Sequence, residues 1–375
     1  MTNFLTIYVY LFVFGSAVGA FLGFIKHVNR YVSVGVFLAI TSSILLLVLR
    51  DPLAPSDAGN YSRMYGVQTS FENIFHAYHG NVFFSFLQFI GNILGLSAKQ
   101  FSIVQSIFFY AVSLLGLRLI FESNRMFLMS ISFFSLTSTF ILLFTNVVRQ
   151  GLALSLIILA IGLFVKNNRF LGYFFSVLAI FSHFSALIIG GIFFFVRHFN
   201  LKRQHLFMVL LAIPFTPTIS QTILTDFASF GGLFQKIETF SNTEYNNYLV
   251  YIKMIALYLS GVIFYFIGVH RGAFKNKEYN FIFKLYLLML FFIFFTAPVL
   301  LLSSRYLYYA SALLPILYTF VMFHNPNVLS AQGRLYLGLV ASVIFGLFVY
   351  SFNSTRVQLG LLPIDYPMTW WELGW

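Results

Sequence analysis

From Phe4 to Ile25 the chain carries no charged side chain, and comparable apolar runs recur along most of its length with charges confined to the gaps between them. A run of about 20 apolar residues is what a helix needs to cross the hydrocarbon core of a bilayer. Over the 375 residues, 59% are hydrophobic and 9% charged, and mean hydropathy is +0.87. A soluble domain carries about 25% charged residues. Too little charge is present here to clothe a water-facing surface, so soluble, disordered and fibrous classes are excluded. The chain reads as an all-α polytopic membrane protein. Cysteine is absent, which excludes disulfides, thiolate metal sites and a cysteine nucleophile.

The first run has no basic stretch before it, unlike a signal peptide, so it is expected to remain as a first span. Further spans are expected over 31–49, 101–120, 126–145, 149–165, 205–224, 249–269, 281–301, 306–323 and 335–352. The 170–196 stretch carries Ser182, His183 and Ser185 in its middle. Two short helices meeting near His183 are expected there, because charge parity requires them. Lys and Arg favour the cytoplasmic side. Alternating the spans from Lys26 and Arg30 inside puts 14 of the 22 basic residues inside, with only Glu122 and Glu278 against them. A single helix over 170–196 would move Arg197, Lys202, Arg203 and the Arg271–Lys284 cluster outside. The expectation is therefore about twelve membrane segments in one integral domain, 1–375, with both termini outside. The net charge of +12 is a topology signal and a contact with anionic lipid, not a nucleic-acid footprint.

The outer pieces are then a loop over 50–100, a second over 226–248, a short turn near Ser303–Arg305 and a tail over 353–375. Within the first, Asn81–Leu96 is short for a span and carries Gln88 and Asn92, so an interfacial or re-entrant helix fits it. His76 and His79 lack a third metal ligand. No phosphate-binding loop, zinc-binding helix pair or nucleophile elbow is present, and no metal or cofactor is expected.

Four polar clusters on the outer side can carry chemistry, since polar groups near membrane depth are costly. The first is Asp57, Asn60, Tyr61, Arg63 and Tyr65: a solvated turn, or a carboxylate able to take a proton from a hydroxyl. The second is Asn146, Arg149 and Gln150. Asn146 reads as a helix cap and Arg149 falls in the first turn, where the helix end is already partly positive. A cation there serves lipid phosphates by snorkelling, or an anion bound at the helix end. The third, Ser303, Ser304, Arg305 and Tyr306, repeats the pattern, with a serine cap and an arginine after it. Together the two arginines could grip a pyrophosphate, for which the planar guanidinium fork is suited. The fourth is His183, inside an apolar stretch: a neutral buried histidine, or a donor to a leaving phosphate. Outer Tyr and Trp residues, including Tyr248, Trp370 and Trp371, suit the membrane interface.

These clusters resemble the EpsG family of Wzy-type polysaccharide polymerases. The resemblance lies in the Asp57…Tyr61 segment, in Asn146–Arg149–Gln150 opening a span, in Ser182–His183–Phe184–Ser185–Ala186, in Ser304–Arg305–Tyr306, and in the tail Tyr366–Pro367. Pro55–Ser56–Asp57–Ala58 stands where the family usually has Gly-Thr-Asp-Tyr. The resemblance implies a glycosyltransferase of GT-C-like architecture in the bacterial inner membrane, working on its periplasmic face. It implies undecaprenyl-pyrophosphate-linked oligosaccharides as donor and acceptor, membrane lipids as surroundings, a chain-length regulator protein as partner, and no nucleotide sugar or nucleic acid. The roles that follow are Arg149 and Arg305 on the donor pyrophosphate, Asp57 on the acceptor hydroxyl and His183 assisting. Tyr61, Arg63, Asn146, Gln150, Ser304 and Tyr306 would line the substrate site. A flippase or exporter of the same lipid-linked glycans, an O-antigen ligase and an acyltransferase acting on surface glycans are the competing readings.

Overall fold

The structure is a computed structural model that describes residues 29–49, 58–76, 81–135, 137, 140, 143–144, 147–199, 201–221 and 248–323. Among the described residues every regular element is helical. In chain order the helices are α1 (Asn29–Leu49), α2 (Ala58–Val67), α3 (Val82–Ile93), α4 (Ala98–Ile120), α5 (Asn124–Ser135) and α6 (Val148–Val165). Then follow α7 (Arg169–Ser182), α8 (Ala186–His198), α9 (Arg203–Ala212), α10 (Tyr248–His270), α11 (Lys277–Phe295) and α12 (Leu300–Phe323). The expected spans 4–25 and 335–352 lie outside the described residues, as do the 353–375 tail and nearly all of the 226–248 loop.

The bundle is built around α6, which packs along α4 on one side and α7 on the other. From Val148 to Phe164 nearly every α6 side chain is buried. Such a helix, apolar on all faces, belongs in the interior of a helical assembly. Its approach to α4 is backbone-close. A Cβ on Gly116 would stand 2.6 Å from the Ile158 carbonyl, and one on Gly162 would stand 2.6 Å from the Gly116 oxygen. Small residues permit this contact, and a hydroxyl bridge from Ser113 to Ser155 (3.1 Å) closes it. A second layer, α10, α11 and α12, packs together beside this core, with Tyr279 and Tyr286 of α11 donating to carbonyls of Phe264 and Leu257 on α10.

The molecule is greasy outside and buries polar side chains within its apolar core. Phe37, Phe170, Phe194, Met208, Ile255 and Leu259 are exposed, while Ser43, Gln88, Ser113, Gln150 and Ser155 are buried. In α3 the buried face holds Ser85, Gln88 and Gly91, whereas Phe86, Ile93 and Leu94 face out. That arrangement suits a lipid solvent, where polar groups must find partners within the protein. Among the described residues four helices are both long and apolar enough to cross a membrane: Ala98–Ile120, Val148–Val165, Val250–His270 and Lys277–Phe295. The chain is thus a multi-pass helical membrane protein.

Several boundaries depart from the sequence expectation. Within the 126–145 span the helix α5 breaks after Ser135, and Phe140, Leu143 and Phe144 are again helical. Thr137 turns the chain there, its hydroxyl donating to the Phe134 carbonyl and accepting from the Phe140 N–H, so side-chain bonds displace helical ones. Within the 205–224 span the α-helix gives way after Ala212 to a 3-10 turn, Ile213–Phe215, around Pro214, which has no N–H to continue the ladder, and α-helix resumes over 216–221. The break at His183 is as expected. Its backbone is extended (φ −159°, ψ 124°) between α7 and α8. The short helix expected within Asn81–Leu96 is α3, 12 residues and about 18 Å long.

α12 gives the bundle a ruler. Arg305 lies near its start and Val321 near its end, 16 residues or about 24 Å apart. At the Val321 end the Arg271 guanidinium donates to the Val321 carbonyl (3.1 Å). Phe121, from the loop after α4, stacks near Phe320 there. Beside it Arg118 donates to the Phe121 and Glu122 carbonyls, and Lys166 pairs with Glu122. The Glu122 carboxyl is held below the usual carboxylate range by the hydrogen bond from Lys166 and by that charge.

Candidate functional site

The opposite end of α12 gathers residues from four separate stretches of sequence. Arg149 and Gln150 are the second and third residues of α6, behind a Val147 cap whose side chain makes no hydrogen bond. Four N–H groups at such a terminus lack helical partners, and the end carries a partial positive charge. The Gln150 amide donates to the main-chain carbonyl of Arg305 (2.5 Å). This bond clasps the start of α6 to the second turn of α12. The Arg149 guanidinium lies 5.6 Å from the ring centroid of Tyr61 on α2, a cation–π distance. Tyr61 is braced edge-on by Phe84 (5.8 Å).

The break between α7 and α8 delivers the third piece. The Ser185 N–H donates to His183 Nδ1 (3.2 Å), and Ser185 Oγ lies 2.6 Å from the same nitrogen. Tyr309 of α12 is 3.0 Å from Ser185 Oγ, and the Gln150 side chain lies near the Tyr309 hydroxyl. A nitrogen that accepts a backbone N–H carries no proton of its own. The neutral imidazole is therefore protonated on Nε2, and the serine hydroxyl donates to Nδ1. Protons then run in one direction, from the Tyr309 O–H to Ser185 and from Ser185 to Nδ1. His183 is left as a donor through Nε2. The imidazole is within electrostatic reach of both Arg305 and Arg149, Arg305 acting more strongly. The two arginines and the histidine therefore share one neighbourhood.

Not every expected residue is there. Arg63 is exposed and donates to Asn60 on its own helix, away from the cluster's hydrogen bonds. Tyr306 is buried edge-on against Phe292 (4.9 Å), a packing role beside the site. Ser304 is partly buried next to Arg305. Asp57 and Asn146 lie outside the described residues. The serine-cap expectation for the third cluster is corrected: α12 begins at Leu300, so Ser303, Ser304 and Arg305 are inside the helix. Ser303 instead meets the Thr296 hydroxyl (3.2 Å) at the end of α11. Arg305 thus lies beyond the first turn, and the Gln150 clasp on its carbonyl fixes the backbone there against the start of α6. Tyr309 and Ser185 were not singled out as site residues from sequence. Tyr309 stands four residues after Arg305, hence on the same helix face, and that spacing is the signal for it.

A family model, that of the EpsG family, matches residues 34–364. The chain belongs to the EpsG family. Its members are Wzy-type polysaccharide polymerase-like membrane proteins. No curated protein and no solved structure matches the chain. The matched stretch contains every member of the EpsG cluster just described, from Tyr61 to Tyr309. Among the described residues no group of three His, Asp or Glu side chains could hold a metal ion. The chemistry this cluster offers is cationic: two guanidiniums, a helix start and an imidazole N–H, all suited to phosphate oxygens.

Proposed function

We propose that this protein polymerises undecaprenyl-pyrophosphate-linked oligosaccharide repeat units on the outer face of the bacterial inner membrane. The observation that carries the reading is the shared neighbourhood of Arg149, His183 and Arg305, joined by contacts that span 155 residues (Gln150 to Arg305) and 124 residues (Ser185 to Tyr309). Two arginines and an N–H donor suit a group with two phosphates better than a monoanion. Membership of a polymerase-like family favours chemistry over transport.

In this reading the acceptor hydroxyl attacks the anomeric carbon of the donor glycan. Its proton passes to Asp57, and the bond from that carbon to the pyrophosphate oxygen breaks with the electron pair leaving on phosphate. Arg149 and Arg305 meet the charge that develops there, where fixed cations act most strongly. His183 donates through Nε2 to a phosphate oxygen, its ring fixed by Ser185 and Tyr309. The apolar skin of the bundle accommodates the polyprenyl chains. About twelve membrane segments in a GT-C-like arrangement, with both termini periplasmic, complete the proposal, and a chain-length regulator is the expected protein partner.

The deciding experiment gives the purified protein a lipid-linked repeat unit and no nucleotide sugar. A ladder of products supports the polymerase. A single transfer onto lipid A core would make it a ligase, and intact substrate moved across a vesicle bilayer would make it a flippase or exporter.

A further inference from the structure

At the other end of the bundle, α9, α10 and α11 surround a hollow of about 1150 Å³. Among the described residues its wall includes Lys202, Arg203, Arg271, Lys275 and Lys284, and no acidic side chain. Two features show that the charge is unbalanced within the protein. Lys202 and Arg203 stand at the start of α9, whose first turn has no acidic residue, so cations crowd a helix end that is already positive. Lys284 is 9% exposed, and among the described residues it has no hydrogen bond or ion pair. It is the eighth residue of α11, about 10 Å along the helix from Lys277. A lysine buried to that depth in a membrane segment without a carboxylate is costly unless an anion enters to meet it.

The walls indicate what kind of anion. Beyond the cations the hollow is bordered by Phe207, Met208 and Tyr265. From there α9 and the turn after it continue outward as an exposed apolar stripe, Met208, Leu211 and Phe215. α10 offers a matching stripe, Phe266, Ile263 and Leu259. A small soluble anion has no use for such flanks, whereas a phosphate with acyl chains fills both parts. Charge parity also assigns this end to the cytoplasmic leaflet, whose anionic lipids attract Lys and Arg.

We propose that this hollow is a binding site for the phosphate headgroup of an anionic phospholipid, with Lys284 at its floor, Arg203 and Lys275 at its rim and the acyl chains along α9 and α10. The site is separate from the Arg149–Arg305 cluster and does not depend on the polymerase reading. It would fix the depth of the α9–α11 corner in the bilayer.

The test uses the full-length protein in detergent, with phosphatidylglycerol, phosphatidylcholine and inorganic phosphate as probes, and reads retained lipid by native mass spectrometry. Phosphatidylglycerol is expected to be held in preference to phosphatidylcholine. Lys284→Met and Lys275→Gln are each expected to weaken that retention about fivefold, the effect of one cation near a charged lipid surface. Lys275 is exposed, so its variant carries the test if Lys284→Met folds poorly. Equal retention of the two lipids, or unchanged retention in both variants, overturns the site. Displacement of phosphatidylglycerol by equimolar inorganic phosphate overturns the lipid assignment, because the hollow would then select a free anion.

Discussion

The two ends of α12 hold the same kinds of charge in opposite ways. At the Arg305 end, cations are woven into a polar network. Gln150 ties α6 to α12, and Tyr309 and Ser185 fix the tautomer of His183. At the Val321 end, lysines and arginines ring an open hollow, and Lys284 has no partner among the described residues. The network is costly to assemble and sets positions within a fraction of an ångström. The ring sets only a potential. A group that must stabilise one developing charge needs the first arrangement, while a site that holds a mobile headgroup needs only the second.

That contrast is most exposed to Arg149→Ala and Arg305→Ala. Each should lower polymer formation by about 100–1,000-fold, the range for losing one fixed charge-stabilising group, with normal amounts of protein in the membrane. Lysine at either position should recover only part, because a point charge does not reproduce the guanidinium fork. Retained long-chain polymer in an alanine variant would remove that arginine from the site. Asp57→Asn should cost about 100-fold if the carboxylate takes the proton; an intact ladder from that variant withdraws the assignment. Tyr309→Phe leaves the ring and removes the hydroxyl facing Ser185, so a loss of about fivefold in rate is expected, with KM little changed. Lys284→Met should leave the polymer ladder unaltered while raising the thermal midpoint in lipid-free detergent, since a lysine without a partner among the described residues leaves a largely buried position. A lowered midpoint there would mean that the lysine has a structural partner.

The smallest effect belongs to Glu122. Its carboxyl is held below the usual range by Lys166, so the contribution to stability is present at neutral pH and fades as pH falls through that lowered value. Both side chains are solvent-accessible, and such pairs contribute little. Glu122→Gln should barely move the midpoint at pH 7, and the difference between the two proteins should vanish in acid, as thermal scans across pH would register.

The class of the fold was legible because apolar runs and sparse charge have one common explanation. The break at His183 was legible too, from the position of basic residues on either side of 170–196. Helix ends were less so. Thr137 and Pro214 interrupt the helical path through local bonding while hydrophobicity continues past both, and a reading by apolar length passes over such breaks. In the site, the arginines and His183 stood out because charge amid apolar sequence is conspicuous. Gln150's contact with Arg305 and Ser185's with Tyr309 span 155 and 124 residues, and sequence spacing carries no sign of such meetings. The serine cap expected before Arg305 failed because Leu300–Leu302, strong helix formers, already make the first turn.

Because Gln150 grips the peptide oxygen of Arg305, any side chain at position 305 leaves that grip in place. Replacing the arginine therefore strips away its charge while the two helices stay fastened. A silent variant at 305 speaks about reactivity, and collapse of the scaffold is to be sought at Gln150 instead.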